Sequence, residues 1–384
     1  MEVDRARTHV LDATMFWSRT GGGVRRYLRV KHAWIARQPG WRHTIAAPVV
    51  DAPDMALLPS WPLPGSGGYR MPVHRKRLAQ CLQALQPDVI EAGDPYRLAW
   101  AALDAARTLQ VPAVAFCHSN LERLAHGIGG PLAARVARRY SRHLYSQFDL
   151  VLAPSEAMRD HLLDWGVGQV ACQPLGVDTR VFHPGRASVM WRNSLQLPAG
   201  TRLLIYAGRF GPEKHLDVLA KAVRRLGPPY LLLALGAGPA PPRGERVIAM
   251  PFVGDAIKLA TMLASADAFV HAGDQETFGL SVLEALACGT PVVARAAEGL
   301  AELVDRRVGV PVHDGRADSF AQAISALFEA PRNERSSAAR RRARAYDWDG
   351  LLPSLLGQYQ HLLQHNVAVA PPLRSVVAPA GRNR

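Results

Sequence analysis

The chain has 384 residues, 48% of them hydrophobic, and a formal charge of +14. That length suits two domains, and the balance of apolar, glycine and proline residues excludes a disordered or collagen-like chain. Only five of the 46 basic residues are lysine, leaving 41 arginines, a surplus that suits phosphate-bearing substrates or anionic membrane surfaces and equally fits a GC-rich genome.

Short apolar runs alternate with helical stretches, the pattern of parallel α/β domains. In the first half, strands are predicted at residues 9–13, 44–47, 89–91, 113–117 and 150–153. After the first of them comes Thr20-Gly21-Gly22-Gly23-Val24-Arg25-Arg26, a glycine-rich turn whose bare N–H groups can face a phosphate or an acceptor. It is not a dinucleotide fingerprint, because Arg26 stands where the third glycine belongs. His118 closes the strand at 113–117, at the end where open α/β sheets bind ligands. Residues 124–145 carry Arg135, Arg138, Arg139 and Arg142 amid Leu132, Val136, Tyr140 and Leu144, the spacing of a basic amphipathic helix that suits either an anionic membrane or a solvated domain face.

A connector is expected around residues 174–198, and a second set of strands follows at 203–207, 230–235, 247–250, 268–271, 292–294 and 309–312. The turn after the first of these holds Gly208, Arg209, Glu213 and Lys214, two cations beside a glycine that lets backbone approach a ligand. Gly236-Ala237-Gly238-Pro239 is a second failed dinucleotide fingerprint, so a nicotinamide-dependent dehydrogenase is disfavoured. Glu276 lies in the loop after the strand at 268–271, and Glu284 in the helix beyond it. That helix should start near Phe278 or Gly279 with Thr277 as N-cap, and Gly289 followed by Pro291 should end it. Its opening offers unpaired N–H groups and a positive dipole end, a natural seat for phosphate. His271 reads as a structural residue or as one that supports a neighbouring site residue. Arg335, Arg340, Arg341, Arg342 and Arg344 form a second basic cluster on a helix expected to be exposed. Another helix is read over 351–363, and from Val367 onward the proline- and arginine-containing end reads as a disordered basic tail.

Cys81, Cys117, Cys172 and Cys288 show neither CxxC nor Cys/His spacing, so no zinc site or disulfide framework is expected and a reducing cytosol fits. The amino terminus lacks a basic start before an apolar core, and no run of about 18 apolar residues occurs, so neither an export signal nor a spanning helix is expected.

The two glutamates within Glu276-x-Phe278-Gly279-Leu280-x-x-x-Glu284-Ala-Leu-Ala-x-Gly289-Thr-Pro291 resemble the E-x(7)-E motif of retaining glycosyltransferases of the GT-B fold, most of all family 4 (group 1). The resemblance covers residues 10–365 and implies two Rossmann-like parallel-sheet domains facing a cleft: 1–180 on the acceptor side, 181–350 for the donor, a helix over 351–366 returning to the first domain, and a tail over 367–384. It implies that Glu284 binds the ribose, Glu276 the donor-sugar hydroxyls, Arg209 and Lys214 the pyrophosphate, and His118 the reaction centre. Gly21, Gly22, Gly23, Gly208, Gly236, Gly238, Thr277, Phe278, Gly279 and Leu280 would complete the donor site. Fixed cations at a departing nucleoside diphosphate lower the barrier without a metal, so no metal or other cofactor is expected. The implied reaction is transfer of a hexose from a GDP-mannose or UDP-glucose type donor to a glycan or lipid-linked acceptor, in cell-envelope polysaccharide, lipopolysaccharide or glycolipid assembly, by a cytoplasmic enzyme in peripheral contact with the inner face of the membrane. A sugar-nucleotide 2-epimerase or a glycan phosphorylase would share the fold. A nucleic-acid-binding protein is suggested only by the charge and lacks a recognition module.

Overall fold

The computed structural model describes residues 7–18, 22–63, 68–329 and 331–369. Two all-parallel sheets lie within them. The strands are β1 (Thr8–Ala13), β2 (Trp41–Ala47), β3 (Met55–Leu57), β4 (Trp61–Pro62), β5 (Arg70–Met71), β6 (Val89–Ala92), β7 (Ala113–Phe116), β8 (Leu150–Ala153), β9 (Val170–Cys172), β10 (Arg202–Ala207), β11 (Tyr230–Leu235), β12 (Val247–Met250), β13 (Ala268–His271), β14 (Val292–Arg295) and β15 (Gly309–Val312). The first sheet runs β3-β2-β1-β6-β7-β8-β9 and the second β12-β11-β10-β13-β14-β15, while β4 and β5 form a separate small ribbon. In each sheet the order reverses beside the first strand, between β1 and β6 and between β10 and β13. Those switch points open crevices at the carboxyl ends of the strands, where such sheets bind ligands.

Every predicted strand is present, the largest discrepancy being β2, which begins at Trp41 rather than Thr44. Near-continuous apolar runs made them legible, because helices cover both faces: Leu203, Leu204, Ile205 and Tyr206 in β10 are all fully buried. β3 and β9 went unpredicted; they are three-residue edge strands too short to show a pattern.

The helices are α1 (Gly23–Ile35), α2 (Arg75–Ala84), α3 (Arg97–Leu109), α4 (Leu121–Tyr145), α5 (Glu156–Asp164), α6 (Val189–Ser194), α7 (Leu216–Leu226), α8 (Ala256–Ser265), α9 (Leu280–Ala287), α10 (Glu298–Leu303), α11 (Ala317–Glu329), α12 (Arg332–Arg344) and α13 (Trp348–Val369). The chain crosses between the sheets twice, and the crossings are zipped together. The Val177 N–H donates to the Tyr346 carbonyl at 2.9 Å, and the Trp348 N–H donates to the Val177 carbonyl at 3.4 Å. From there α13 lies back on the first domain, burying Leu352, Leu355 and Tyr359.

Three helical expectations need correction. The returning helix starts at Trp348 rather than 351 and continues to Val369, so residues 367–369 are helical; 370–384 lie outside the described residues. In α4 the apolar stripe divides. Ala134, Ala137, Ser141, Leu144 and Tyr145 face the core, while Leu132 and Val136 stand 72% and 64% exposed, because spacing alone does not say which apolar residues of a helix turn inward. The arginines of α12 are not simply solvated. Arg340 donates to the carbonyls of Thr179, Phe182 and Ala287, and Arg342 to those of Glu302 and Leu303, so they satisfy carbonyls left over at the ends of α9 and α10.

What fixes α13 is a buried charge. Lys31 on α1 is fully buried, with Nζ 2.8 Å from Asp12, 3.0 Å from Glu91 and 2.7 Å from the Tyr359 hydroxyl. His43 Nε2 meets the other oxygen of Asp12 at 2.6 Å, and the Tyr359 hydroxyl donates to Glu91. Burial pushes the Glu91 carboxyl up, against the pull of Lys31. Lys31→Met strands two buried carboxylates and is expected to cost about 3–5 kcal/mol in urea unfolding. Tyr359→Phe removes one hydroxyl and should cost about 1–2 kcal/mol. A Lys31→Met loss below that of Tyr359→Phe would contradict this account.

Candidate active site

The switch point between β10 and β13 gathers most of the residues singled out in the second domain. β10 runs into Gly208, Arg209 and a 3₁₀ turn, Pro212–Lys214, before α7 starts. The Gly236 to Gly238 turn after β11 packs on this segment, with the Phe210 N–H donating to the Ala237 carbonyl at 2.8 Å. A Cβ at Gly236 would stand 1.9 Å from the Gly208 carbonyl oxygen, so only glycine admits this approach.

Lys214 reaches across to Glu276 in the loop after β13 and pairs with its carboxylate. His271, the last residue of β13 and 1% exposed, brings Nε2 to 3.1 Å from the same oxygen of Glu276. Burial alone would raise the Glu276 carboxyl, but Lys214 and His271 hold it well below the usual carboxylate range. Glu276 is therefore ionised at neutral pH. The sequence left His271 as structural or as a support for a site residue; its contact with Glu276 fits the second of these. Arg209 pairs with Glu213 at 2.5 Å while its side chain is 65% exposed. Such an exposed pair is worth well under about 1 kcal/mol, so Arg209 can exchange it for a phosphate at little cost.

The loop itself is pinned from behind by the Gly299 N–H, which donates to the Glu276 carbonyl at 3.1 Å. Thr277 does not cap the helix as predicted. Its hydroxyl donates to the His118 carbonyl at 3.0 Å, and Gly279, at φ +103°, stands at the N-cap before α9 begins at Leu280. Phe278 is buried with its ring edge-on to Tyr346, so only its backbone is available to a donor. The end of α9 is as expected, at left-handed Gly289.

The first domain supplies the facing wall. His118 follows β7, its ring stacked on Phe116 at 4.2 Å and edge-on to Tyr27 at 5.6 Å. Burial lowers its pKa to about 4, so the ring is neutral in the physiological range, and its buried Nε2 has no hydrogen-bond partner among the described residues. An unpaired buried nitrogen at the mouth of a switch point is what a ligand contact would satisfy. Asn120 caps α4 and also donates to Glu298 at 3.1 Å, and Arg123 pairs with Glu298 at 2.8 Å. Glu302 accepts from the Glu156 and Ala157 N–H groups at the start of α5. These contacts join the two domains, and none was anticipated from sequence, since each partner sits more than 140 positions from the other.

Glu284 lies inside α9, its side chain 3% exposed, and pairs with Arg26 of α1. Arg26 had appeared only as the residue that spoils a glycine fingerprint. Gly22 and Gly23 lie at the start of α1, while Gly21 lies outside the described residues. Among the described residues no group of three or more His, Cys, Asp or Glu side chains is arranged to hold a metal ion, and the four cysteines are free thiols.

Comparison with known proteins matches both halves. The profile of the Glycosyltransferase Family 4 covers residues 20–181, and that of Glycosyl transferases group 1 covers residues 190–346. The chain is 31% identical to a GDP-mannose-dependent alpha-(1-6)-phosphatidylinositol dimannoside mannosyltransferase of Mycobacterium tuberculosis over 90% of this chain and 94% of that one. It is 33% identical to a GDP-mannose-dependent alpha-mannosyltransferase of Mycolicibacterium smegmatis over 80% and 82%. Among solved structures, sucrose-phosphate synthase from Thermosynechococcus elongatus superposes with a TM-score of 0.79 at 21% identity, over 94% of this chain and all of that one. Anabaena HepE in complex with UDP and glucose gives 0.74 at 18%, over 91% and 99%. With two parallel sheets meeting at a cleft and the acid and cation sets gathered at one switch point, this chain belongs to the family 4, group 1 glycosyltransferases and has their GT-B fold.

Proposed function

We propose that this glycosyltransferase moves a mannosyl group from GDP-mannose to a hydroxyl of a lipid-linked glycan acceptor, with retention at the anomeric carbon and without a metal. The observation that carries the reading is the Lys214, Glu276 and His271 cluster at the β10/β13 switch point, faced by His118. The choice of GDP-mannose rests on the mycobacterial relatives, whose names specify it.

In this reading the charged Glu276 accepts from donor-sugar hydroxyls, held in place by His271. Lys214 keeps two further N–H donors beyond its bond to Glu276, and Arg209 turns from Glu213, so both face the diphosphate. As the glycosidic bond breaks, negative charge grows on that diphosphate, and preformed cations stabilise it. Glu284 holds the ribose. Neutral His118 contacts the donor sugar through Nε2, and the acceptor hydroxyl attacks from the face the diphosphate leaves, passing its proton to a phosphate oxygen.

The acceptor reading extends to a membrane. Leu132 and Val136 on α4 are 72% and 64% exposed, and exposed Arg135, Arg138, Arg139 and Arg142 share their part of the helix, which is broken from Ile128 at Gly129 and Gly130. Apolar side chains combined with cations suit the anionic inner face of the cytoplasmic membrane. Among the described residues no helix is long and apolar enough to cross it.

Lys214→Ala and Arg209→Ala should each lower turnover by about 10²–10³ with an unchanged far-UV spectrum; near-normal transfer by both overturns the assignment. In a thermal-shift panel of GDP, UDP and ADP sugars, GDP-mannose should stabilise the protein most, and preference for a UDP sugar would overturn the donor. By NMR the His118 ring should titrate near pH 4, leaving the turnover profile between pH 6 and 8 without a His118 step; a midpoint at 6.5 would remove the basis for its neutral role. Leu132→Glu/Val136→Glu should abolish co-sedimentation with phosphatidylglycerol vesicles while GDP binding persists, and undiminished sedimentation would rule out α4 as the contact.

A further inference from the structure

The pairing of Arg26 with Glu284 joins a residue of one domain to the interior of a donor-side helix in the other. α1 is the first helix after β1, and α9 begins where the Glu276 loop ends; their amino-terminal turns meet across the cleft. A Cβ at Gly23 would stand 2.7 Å from Leu280 Cδ1, so the first turn of α1 lies directly against the first turn of α9. One turn further along α1, Arg26 extends to Glu284, the fifth residue of α9. The Glu284 side chain is 3% exposed and that of Arg26 28%. Among the ion pairs of the described residues, Arg26 is the only cation on Glu284. The guanidinium also lies 5.8 Å from the Phe182 ring, in the segment that links the domains, so its position is fixed on two sides.

A carboxylate this deeply buried is stable as an anion only beside a fixed cation. Its two oxygens carry about four acceptor positions, so a guanidinium on one of them leaves room for a vicinal diol on the other. Burial lowers the Arg26 pKa to about 10, which keeps it charged at neutral pH.

We propose that Arg26 is a positioning residue for the donor nucleotide, supplied by the first domain to a site on the second. It holds Glu284 ionised and aimed at the ribose, so affinity for a nucleoside diphosphate depends on the two domains being in contact. When the cleft opens, Arg26 withdraws with α1, Glu284 loses its counter-charge, and the spent nucleotide is released. The inference rests on the reading of Glu284 as the ribose acid and adds what controls it.

The test uses the full chain and isothermal titration with GDP. Arg26→Met should weaken GDP binding more than tenfold and raise the donor KM to match, with kcat falling much less, because the cations at the diphosphate are untouched. Arg26→Lys should recover most of the affinity. Glu284→Gln should weaken GDP comparably, and adding it to Arg26→Met should cost little more, because the two act as one unit. Unchanged GDP affinity in Arg26→Met, or a collapse of kcat at constant donor KM, overturns the proposal. If Arg26→Met does not fold, Arg26→Lys against Glu284→Gln decides: equal, severe losses of GDP in both count against a role filled by charge, and retention in the lysine variant alone supports it. A wild-type chain that binds neither GDP nor UDP would instead overturn the donor-site reading beneath it.

Discussion

A lysine with no exposed surface dictates much of this architecture. An ammonium group removed from water is tolerable only when its neighbours replace what water supplied. Here Asp12 comes from β1, Glu91 from β6 and the Tyr359 hydroxyl from α13. The first two strands flank the switch point of the first sheet, and the third element arrives after the chain has built the whole second domain. Satisfying Lys31 therefore ties the carboxy-terminal helix to the floor of the first domain's crevice. Removing Lys31 leaves two carboxylates without their ammonium in a dry interior, so the arrangement hinges on that one residue.

That anchor brings the two crevices face to face. Tyr27 packs beside both His118 and Trp348, so the His118 ring shares a neighbour with the helix that closes the molecule. Across the cleft run contacts of unequal strength. Glu298, 4% exposed, takes both Asn120 and Arg123, and buried Glu284 takes Arg26. Arg209, by contrast, leans on Glu213 with its own side chain 65% exposed. Deep pairs hold the walls together, and the shallow one leaves a cation available to a ligand, because the Coulomb energy of a pair grows as solvent is excluded.

Much of the fold was legible in the sequence because parallel strands buried on both faces leave short apolar runs bounded by glycine and polar turns. The runs that became β10, β11 and β13 carry that signal plainly, and the cations and acids after them lie at their carboxyl ends as the pattern required. The Gly-Thr-Pro stop after α9 was legible for a local reason: a left-handed residue and a proline cannot continue a helix. Amphipathic spacing misled where it could not report helix depth. In α4 Ala134, Ala137 and Leu144 meet the core while Leu132 and Val136 stay outside, and in α12 two arginines that looked solvated bond backbone carbonyls.

By itself the sequence determined the strands, the two-sheet order of events along the chain, and which acids and cations follow the strands as candidate site residues, since each depends on neighbours within a few positions. Only the tertiary structure decided which of those residues meet. Lys214 with Glu276, Thr277 with the His118 carbonyl, and Arg26 with Glu284 are separated by 62, 159 and over 250 positions, and no local propensity encodes a contact at such range. They come together because parallel sheets align their carboxyl ends, glycines let backbones approach, and one buried lysine fixes the helix that folds one domain onto the other.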